Sequence, residues 1–503
     1  MLEHLPQIFA HVFSLSSIIA MVLGVLGGVA IGAMPGVSAT MAIAMLLPLT
    51  FTLEPVTGLG MIAGIYSGAI YGGAIPAILL RIPGTPAAIA TTFDGYPMSQ
   101  QGQAGRALEI SCYSSSLGGM MGALALILIG PPLSRIALSF GPPEMFWVAL
   151  LGILSLALLL GDDAIKGLVS AGIGLFLACV GTDLVTGQER YAFGAVELVG
   201  GLDIAVVLIG LFAIPPTLEM AEKSLGETGV RQLPAINRAL GLFAAIKQFW
   251  KVWLSGSAIG VLVGILPGAG GNLAAIISYN ETKRRAADPT AFGQGKPEGV
   301  AAAECANNAD CGAALIPALT LGVPGSTVAA LIMGALMIHG MQPGPQLLRE
   351  QPVVVYGLMF QMLVTAALII PLGGLLATRL FARVLLIPGY LLAPLILSLT
   401  VAGVYSINNS TFDVGVLFTM GILGYVMERL GVPLAPASLA LILGPLLEKN
   451  LMISLVISRN DPSIFFTRPV SLVIIALIVL LIGAPLLRRR LRNRRLKGAL
   501  EID

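Results

Sequence analysis

"GVLVGILPGAGGNLAAII", residues 260–277, is apolar enough to lie in a bilayer, yet its centre reads Pro267-Gly268-Ala269-Gly270-Gly271-Asn272. Proline removes a backbone donor and glycine is the poorest ordinary helix former, so this segment cannot run as one continuous helix. A broken backbone at membrane depth is tolerated only where protein or a water-filled cavity surrounds it. The rest of the chain shows that the setting is a membrane. It has 503 residues, 56% of them hydrophobic and 11% charged, with a mean hydropathy of +0.92. A soluble domain carries about a quarter charged residues. Apolar stretches recur along the whole length, and a hydrocarbon core of about 30 Å needs roughly 20 helical residues. The expectation is an all-α polytopic membrane protein.

Several function classes fall away. There is no P-loop and no HExxH, so neither ATP hydrolysis nor zinc proteolysis is expected. The cysteines Cys112, Cys179, Cys305 and Cys311 form no CxxC pair and lie in apolar surroundings, which argues against disulfides and metal sites. The first residues, MLEHLPQIFAHVF, carry no Lys or Arg, so a cleaved leader is not expected. No cofactor and no nucleic-acid partner is expected.

The break recurs. Residues 28–45 read GVAIGAMPGVSATMAIAM; laid on 260–277, Gly28 meets Gly260, Gly32 meets Gly264 and Pro35-Gly36 meets Pro267-Gly268, an offset of 232. AIPAILLRIPGTPAA (74–88) lies on LIPALTLGVPGSTVAA (315–330): Pro76 meets Pro317, Pro83-Gly84 meets Pro324-Gly325 and Thr85 meets Ser326, an offset of 241. Two motifs in the same order at nearly the same offset indicate an internal duplication. The alternative, simple helix kinks, draws on the frequency of Gly and Pro in spanning helices.

Lys and Arg favour the cytoplasmic side. That places the tail RRRLRNRRLK (488–497), the stretch 221–251 and the stretch 281–299 inside. The segment around Pro267 then enters and leaves on the same face, as a re-entrant hairpin. Its counterpart around Pro35 has no flanking Lys or Arg from residue 1 to residue 80 and should enter from outside. The expected arrangement is therefore two inverted-topology repeats. Residues 1–220 hold a hairpin at 16–50, a broken helix at 58–92 and helices at 108–130, 143–160, 165–180 and 199–220. A cytoplasmic linker occupies 221–251. Residues 252–487 hold a hairpin at 252–278, a broken helix at 300–338 and helices near 352–373, 385–403, 412–428, 433–448 and 469–487, before the basic cytoplasmic tail at 488–503. Trp147, Trp250 and Trp253 are expected as interface anchors.

Inverted repeats with discontinuous helices point to a secondary transporter. Half-helix N-termini present unpaired N–H groups and partial positive charge, which suit carboxylates; unwound carbonyls suit Na⁺. The candidate binding residues are the breaks and their polar flanks. They are Pro35, Gly36, Ser38 and Thr40; Arg81, Pro83, Gly84 and Thr85; Pro267, Gly268, Gly270, Gly271 and Asn272; and Pro324, Gly325, Ser326 and Thr327. Arg81 is the only Lys or Arg before residue 106. An intramembrane cation is expensive and functional by default. Arg81 either pairs with a substrate carboxylate or snorkels and caps a carbonyl. In AAECANNADCG (302–312), Glu304, Asn307, Asn308 and Asp310 offer hard oxygen ligands for a cation; the competing reading is a helix cap at the inner interface. His339 reads as a turn or interface residue rather than a proton relay.

These stretches resemble a known family. GAMPGVSATMAIAMLLPLTF (32–51), YGGAIPAILLRIPGTPAAIATTFDGYPMSQQGQAGRAL (71–108), PEGVAAAECANNADCGAALIPALTLGVPGS (297–326) and GALMIHGMQPGP (334–345) are similar to the large permease subunit of the tripartite tricarboxylate transporters, the TctA type. The resemblance covers nearly the whole chain. It implies a multi-pass protein of the bacterial inner membrane that works with a small membrane subunit and a periplasmic solute-binding protein. It implies uptake of a carboxylate by symport, driven by an ion gradient, Na⁺ or H⁺, without ATP. A homodimer is compatible with it. Arg81 departs from the family pattern, in which an amide commonly precedes Ile-Pro-Gly-Thr, and this leaves the carboxylate open. Two rival classes remain. A channel would use the irregular backbone as a filter. An intramembrane enzyme would need an acid, base or nucleophile set, for which Asp162-Asp163 is one candidate; LLLGDDAIKGL reads better as an inner-face turn.

Overall fold

The structure, a computed structural model, describes residues 4–34, 37–159, 164–183, 186–224, 240–268, 270–377, 380 and 389–483. Pro35-Gly36, Asp162-Asp163, Ala269 and the basic tail lie outside the described residues, as does most of the linker. Apart from two short antiparallel strands, β1 (Gly181–Thr182) and β2 (Glu189–Arg190), the chain is helical. Among the described residues, eight helices are long and apolar enough to cross a membrane. The protein is an all-α, multi-pass membrane protein.

Along the chain, α1 (Leu5–Val12) precedes the first hairpin, α2 (Leu15–Gly32) and α3 (Ala39–Thr50). The first broken element follows: α4 (Pro55–Gly72), α5 (Ala74–Leu80), an extended break, a 3-10 turn at Pro86–Ala88 and α6 (Ile89–Met98). Next comes the long α7 (Ala104–Ala137). Then α8 (Pro142–Leu159), α9 (Ala164–Ala178) and the short α10 (Val196–Val199) precede α11 (Ile204–Ser224). The second hairpin is α12 (Leu242–Gly264) and α13 (Gly270–Arg285). Its broken element is α14 (Pro297–Ala313), α15 (Leu315–Leu321), an extended break and α16 (Thr327–Ile338). After the short α17 (Leu347–Glu350), α18 (Pro352–Leu368) runs into a π turn at Ile369–Ala377. The last helices are α19 (Gly389–Asn408), α20 (Thr411–Arg429), α21 (Leu434–Ile457), α22 (Ile464–Thr467) and α23 (Pro469–Gly483).

Two compact units result. One is Met1–Ala137 with Asp203–Leu430; the other is Leu138–Leu202 with Gly431–Asp503. The first unit holds both hairpins and both broken elements. At its centre are α4 and α14, whose residues are almost all buried. Without a hydrophobic drive between helices in lipid, close packing of small residues holds such elements together. Gly24, Gly28 and Gly32 of α2 face α4 so tightly that an added Cβ would sit 2.3, 2.4 and 2.3 Å from the carbonyl oxygens of Met61, Ile65 and Ala69. At an offset of 232, Gly256, Gly260 and Gly264 of α12 meet Ala302, Ala306 and Asp310 of α14 at 3.4, 2.4 and 3.1 Å. The contacted carbonyls are themselves 241 apart, so the duplication read in the breaks extends to the packing around them. The long helices then cross over: α7 packs on α14, and α18 packs on α4, where Ser67 and Thr365 share a hydrogen bond of 3.2 Å.

In the second unit, α8 and α9 pack on α21. Ser170 donates to Pro433 O at 2.5 Å and accepts from Ala437 N at 3.0 Å. The expected helix 433–448 is longer than its sequence suggested and ends at Ile457. Glu448 and Lys449 read as a terminus. Instead, Arg190 forks onto Glu448 with bonds of 2.6 and 3.0 Å, which neutralises the carboxylate and lets the helix continue.

Trp147 keeps a polar partner, donating to Phe465 O at 2.9 Å, and Trp250 is exposed beside Lys251. Trp253 departs from the anchoring expectation. It is buried and donates to Ser114 Oγ at 2.8 Å, because α12 starts at Leu242, well before residue 252, and carries it into the bundle.

Candidate functional site

Each break is built by local chemistry. Ser38 caps α3, accepting from Met41 N at 3.1 Å, and Ser326 caps α16, accepting from Ala329 N at 3.2 Å. These hydroxyls satisfy one orphan donor each and leave the other N–H groups of the first turn facing the break. The opposite ends close in left-handed backbone: Arg81 at φ 61° after α5 and Gly322 at φ 75° after α15. In both, the next N–H returns to a proline carbonyl, Ile82 to Pro76 at 3.3 Å and Val323 to Pro317 at 3.2 Å. Gly84 N donates to Gly73 O and Gly325 N to Ala314 O, each at 3.1 Å. From Arg81 and Gly322 onward, the matched residues of the two broken elements are separated by 241 residues.

The four breaks meet. Gly84 lies against the end of α2, where an added Cβ would be 2.5 Å from Gly32 O. Gly325 lies against the end of α12 in the same way, 2.6 Å from Gly264 O, and its own carbonyl accepts from Gly268 N at 3.0 Å. Thr40 of the first hairpin shares a hydrogen bond of 3.0 Å with Thr327 of the second broken element. At the equivalent place, the 3-10 turn at Pro86–Ala88 packs on α13. A closed ring follows: first hairpin to first break, first break to second hairpin, second hairpin to second break, second break to first hairpin. The N-termini of α3, α13, α16 and the 3-10 turn converge on it, together with the C-termini of α2, α5, α12 and α15. Thr85 is buried there and its hydroxyl has no partner; Asn272 is exposed. Two cavities elsewhere do not touch the ring. One of about 530 Å³ lies between α19 and α20, and one of about 280 Å³ is lined by Glu219, Glu222, Tyr425, Glu428 and Arg429.

The polar residues of α14 are all buried but face different neighbours. Glu304 accepts from Thr91 of α6 and from Ser115 of α7, the latter at 2.9 Å. Asn308 turns back on its own helix and donates to Glu304 O at 3.0 Å. Asn307 and Asp310 face the hairpin. Asn307 Oδ1 lies 2.5 Å from where Gly271 would carry a Cβ, and Asp310 Oδ1 lies 2.9 Å from the corresponding point of Gly264. Both side-chain atoms of Asn307, and Oδ1 of Asp310, are buried without a protein partner. Buried polar atoms left unpaired are costly, so this corner is built to receive something.

Arg81 is exposed, and its guanidinium stands 5.8 Å from the centre of the Tyr96 ring. Among the described residues it pairs with no carboxylate. His339 ends α16, half-buried, with Nε2 unpartnered. The sequence reading missed Tyr66, buried beside Ser326, Cys311 and Asp310. The signal was present, since Tyr66 stands 241 residues before Asn307. It also missed Thr91 and Asp94, both buried, in TTFDGYP.

Paired discontinuous helices converging inside an apolar helical bundle define the architecture of a secondary transporter. Residues 18–439 match the tripartite tricarboxylate transporter TctA family, and the chain belongs to that family. It is 38% identical over 489 residues, 96% of its length and 95% of the relative's, to the "Uncharacterized 52.8 kDa protein in TAR-I ttuC' 3'region" of Agrobacterium vitis. It is 43% identical over 216 residues, 42% of its length and 87% of the relative's, to the "Uncharacterized protein in TAR-II ttuC' 3'region" of the same organism. No solved structure matches the chain. The family is one of transporters, not of enzymes, and the chain is the large membrane subunit of a system that, as a class, includes a small membrane subunit and a periplasmic binding subunit.

Proposed function

We propose that this subunit imports a tricarboxylate or related carboxylate by symport with Na⁺ or H⁺, using the ring of breaks as its binding site. The observation that carries the reading is the convergence of four helix N-termini, two of them capped by Ser38 and Ser326, with four helix C-termini. The N-termini supply N–H donors and positive potential for carboxylates; the C-terminal carbonyls supply oxygen for a cation. Arg81 meets a substrate carboxylate at the rim. Asn307 and Asp310, with their unpaired oxygens, hold the coupling ion, and Glu304 and Asn308 support them from the same helix. The repeats are inverted, with the first hairpin entering from outside and the second from the cytoplasm of a bacterial inner membrane. The C-terminus is cytoplasmic, and the chain itself carries out no chemical conversion.

The test is uptake of radiolabelled carboxylates into proteoliposomes holding the complex, with imposed Na⁺ or pH gradients. Uptake should saturate and follow one gradient. Asp310→Asn should raise the ion concentration for half-maximal uptake by about tenfold or more, the loss of one charged interaction. An unchanged ion dependence in Asp310→Asn would move the cation elsewhere. Ohmic currents far above carrier turnover would favour a channel.

A further inference from the structure

Asp94 lies in α6, beyond the first break, and its carboxyl is fully buried. Oδ1 accepts three backbone N–H groups from one segment: Gly293 at 2.8 Å, Gly295 at 2.9 Å and Lys296 at 2.7 Å. Gly293 and Gly295 have φ of 89° and 103°, and this left-handed backbone turns the three donors onto one oxygen, an anion-holding nest. Oδ2 accepts the Tyr279 hydroxyl at 2.9 Å. Around the carboxylate, Phe93, Tyr279 and Phe292 stack edge to face, with centroids 5.3 and 5.6 Å apart, and Gln101 Nε2 donates to Gln294 O at 2.8 Å. Gly299 starts α14 so close by that an added Cβ would be 2.2 Å from Oδ2.

These contacts tie three helices at the end remote from the ring. α6 leads away from the first break, α13 leads away from the second hairpin tip, and α14 runs from this end towards the second break. Behind the tie, Ala90, Ala275 and Ala303 close the space between the three helices. The corresponding end of the other repeat is built differently. There α3, α4 and α16 meet, Ala335 stands 241 residues from Asp94, and the connection from α3 to α4 is only Phe51–Glu54. Among the described residues no side-chain hydrogen bond joins the far end of α16 to α3 or α4. His339 Nε2 is unpartnered there, 3.6 Å from where Gly58 would carry a Cβ.

We propose that Asp94 latches a gate: it holds the 293–296 segment and Tyr279 against α6, shutting the path from the ring to that end, while the far end of α16 has no such latch onto α3 or α4. The inference rests on the transporter reading. Asp94 is a positioning residue, and substrate passage to the latched end requires its release. A fully satisfied buried carboxylate resists opening, so the latch sets which end opens more readily.

Two arms test this in a Cys179→Ser background, where the remaining native cysteines are buried. In the first, Gln101→Cys with Gln294→Cys is joined by a short bifunctional methanethiosulfonate in proteoliposomes, with citrate as the probe. Cross-linking should lower uptake about tenfold or more and dithiothreitol should restore it, since a clamped gate leaves one access state. In the second, Ala275→Cys is labelled with an impermeant maleimide from the 286–296 end. Adding Asp94→Ala should speed labelling about fivefold or more as the open state gains population; Asp94→Asn, which keeps an acceptor oxygen, should do so less. Undiminished uptake by the cross-linked pair, or unchanged labelling in Asp94→Ala, would overturn the latch. Absence of uptake in the uncross-linked protein would instead count against the transporter reading, and the labelling arm, which needs no transport, would still decide the latch.

Discussion

Gly325→Val and Gly268→Val are each expected to abolish carboxylate uptake, whereas Thr40→Ala and Ser326→Ala should only weaken it. Gly325 has no room for a side chain: an added Cβ would sit 2.6 Å from Gly264 O and 2.9 Å from Ala314 Cα. Both neighbours are backbone, so neither can turn aside as a side chain could. Gly325 also carries two of the ring's hydrogen bonds, donating to Ala314 O and accepting from Gly268 N. Gly268 fails for another reason. Its φ is 81°, a region that a β-branched residue adopts only with a strain of order 1–3 kcal/mol. Thr40→Ala removes the bond to Thr327, and Ser326→Ala removes a helix cap, each worth about 1 kcal/mol. Uptake measured beside a solubilised, monodisperse preparation of each variant checks this. Gly172→Val, at a glycine with nothing within 4 Å, should leave uptake unchanged. Wild-type uptake in Gly325→Val would mean that the breaks only pack.

Arg81 gives the second large effect, and its sign separates function from stability. Its repeat partner Gly322 adopts the same left-handed conformation, which for a residue with a Cβ costs roughly 1–2 kcal/mol. Arg81→Gly should therefore hold or raise the melting temperature. If the guanidinium meets a carboxylate, uptake and binding should fall about tenfold to a hundredfold, one charged hydrogen bond of about 1.5–3 kcal/mol. Arg81→Lys restores the charge but not the planar fork, and should recover only part. A melting temperature that falls together with an unchanged affinity would return Arg81 to the role of a cap stacked on Tyr96.

Much of the framework was legible because membrane packing writes it in small residues. Pro83-Gly84, Pro267-Gly268 and Pro324-Gly325 each fall at a break, and the spacing of Gly24, Gly28 and Gly32, repeated at Gly256, Gly260 and Gly264, encoded how each hairpin seats on its central helix. The αL cap was legible too, since Arg81 aligns with a glycine. What stayed hidden depends on neighbours distant in sequence. The spacing of Glu304, Asn307, Asn308 and Asp310 says that they share a helix, but not that Glu304 faces Thr91 and Ser115 while Asp310 faces the hairpin. Asp94 was not singled out because its three N–H partners lie about two hundred residues on. Glu448 looked like a helix end because its partner, Arg190, sits in another hairpin.

The central claim is that the four breaks form one carboxylate site, and ligand protection tests it most directly. Cysteine is placed singly at Thr40 in the first hairpin and at Asn272 in the second, two members of the ring that are not adjacent to each other, and at Phe243, an exposed residue near the start of α12, as a control. Thiol labelling is then timed in proteoliposomes with and without the carboxylate that the uptake panel identifies. The account predicts that saturating carboxylate slows labelling at both ring positions, half-maximally at one shared concentration, and leaves the control unchanged. Unaltered labelling at both ring positions, in protein that still takes up the carboxylate, would contradict it.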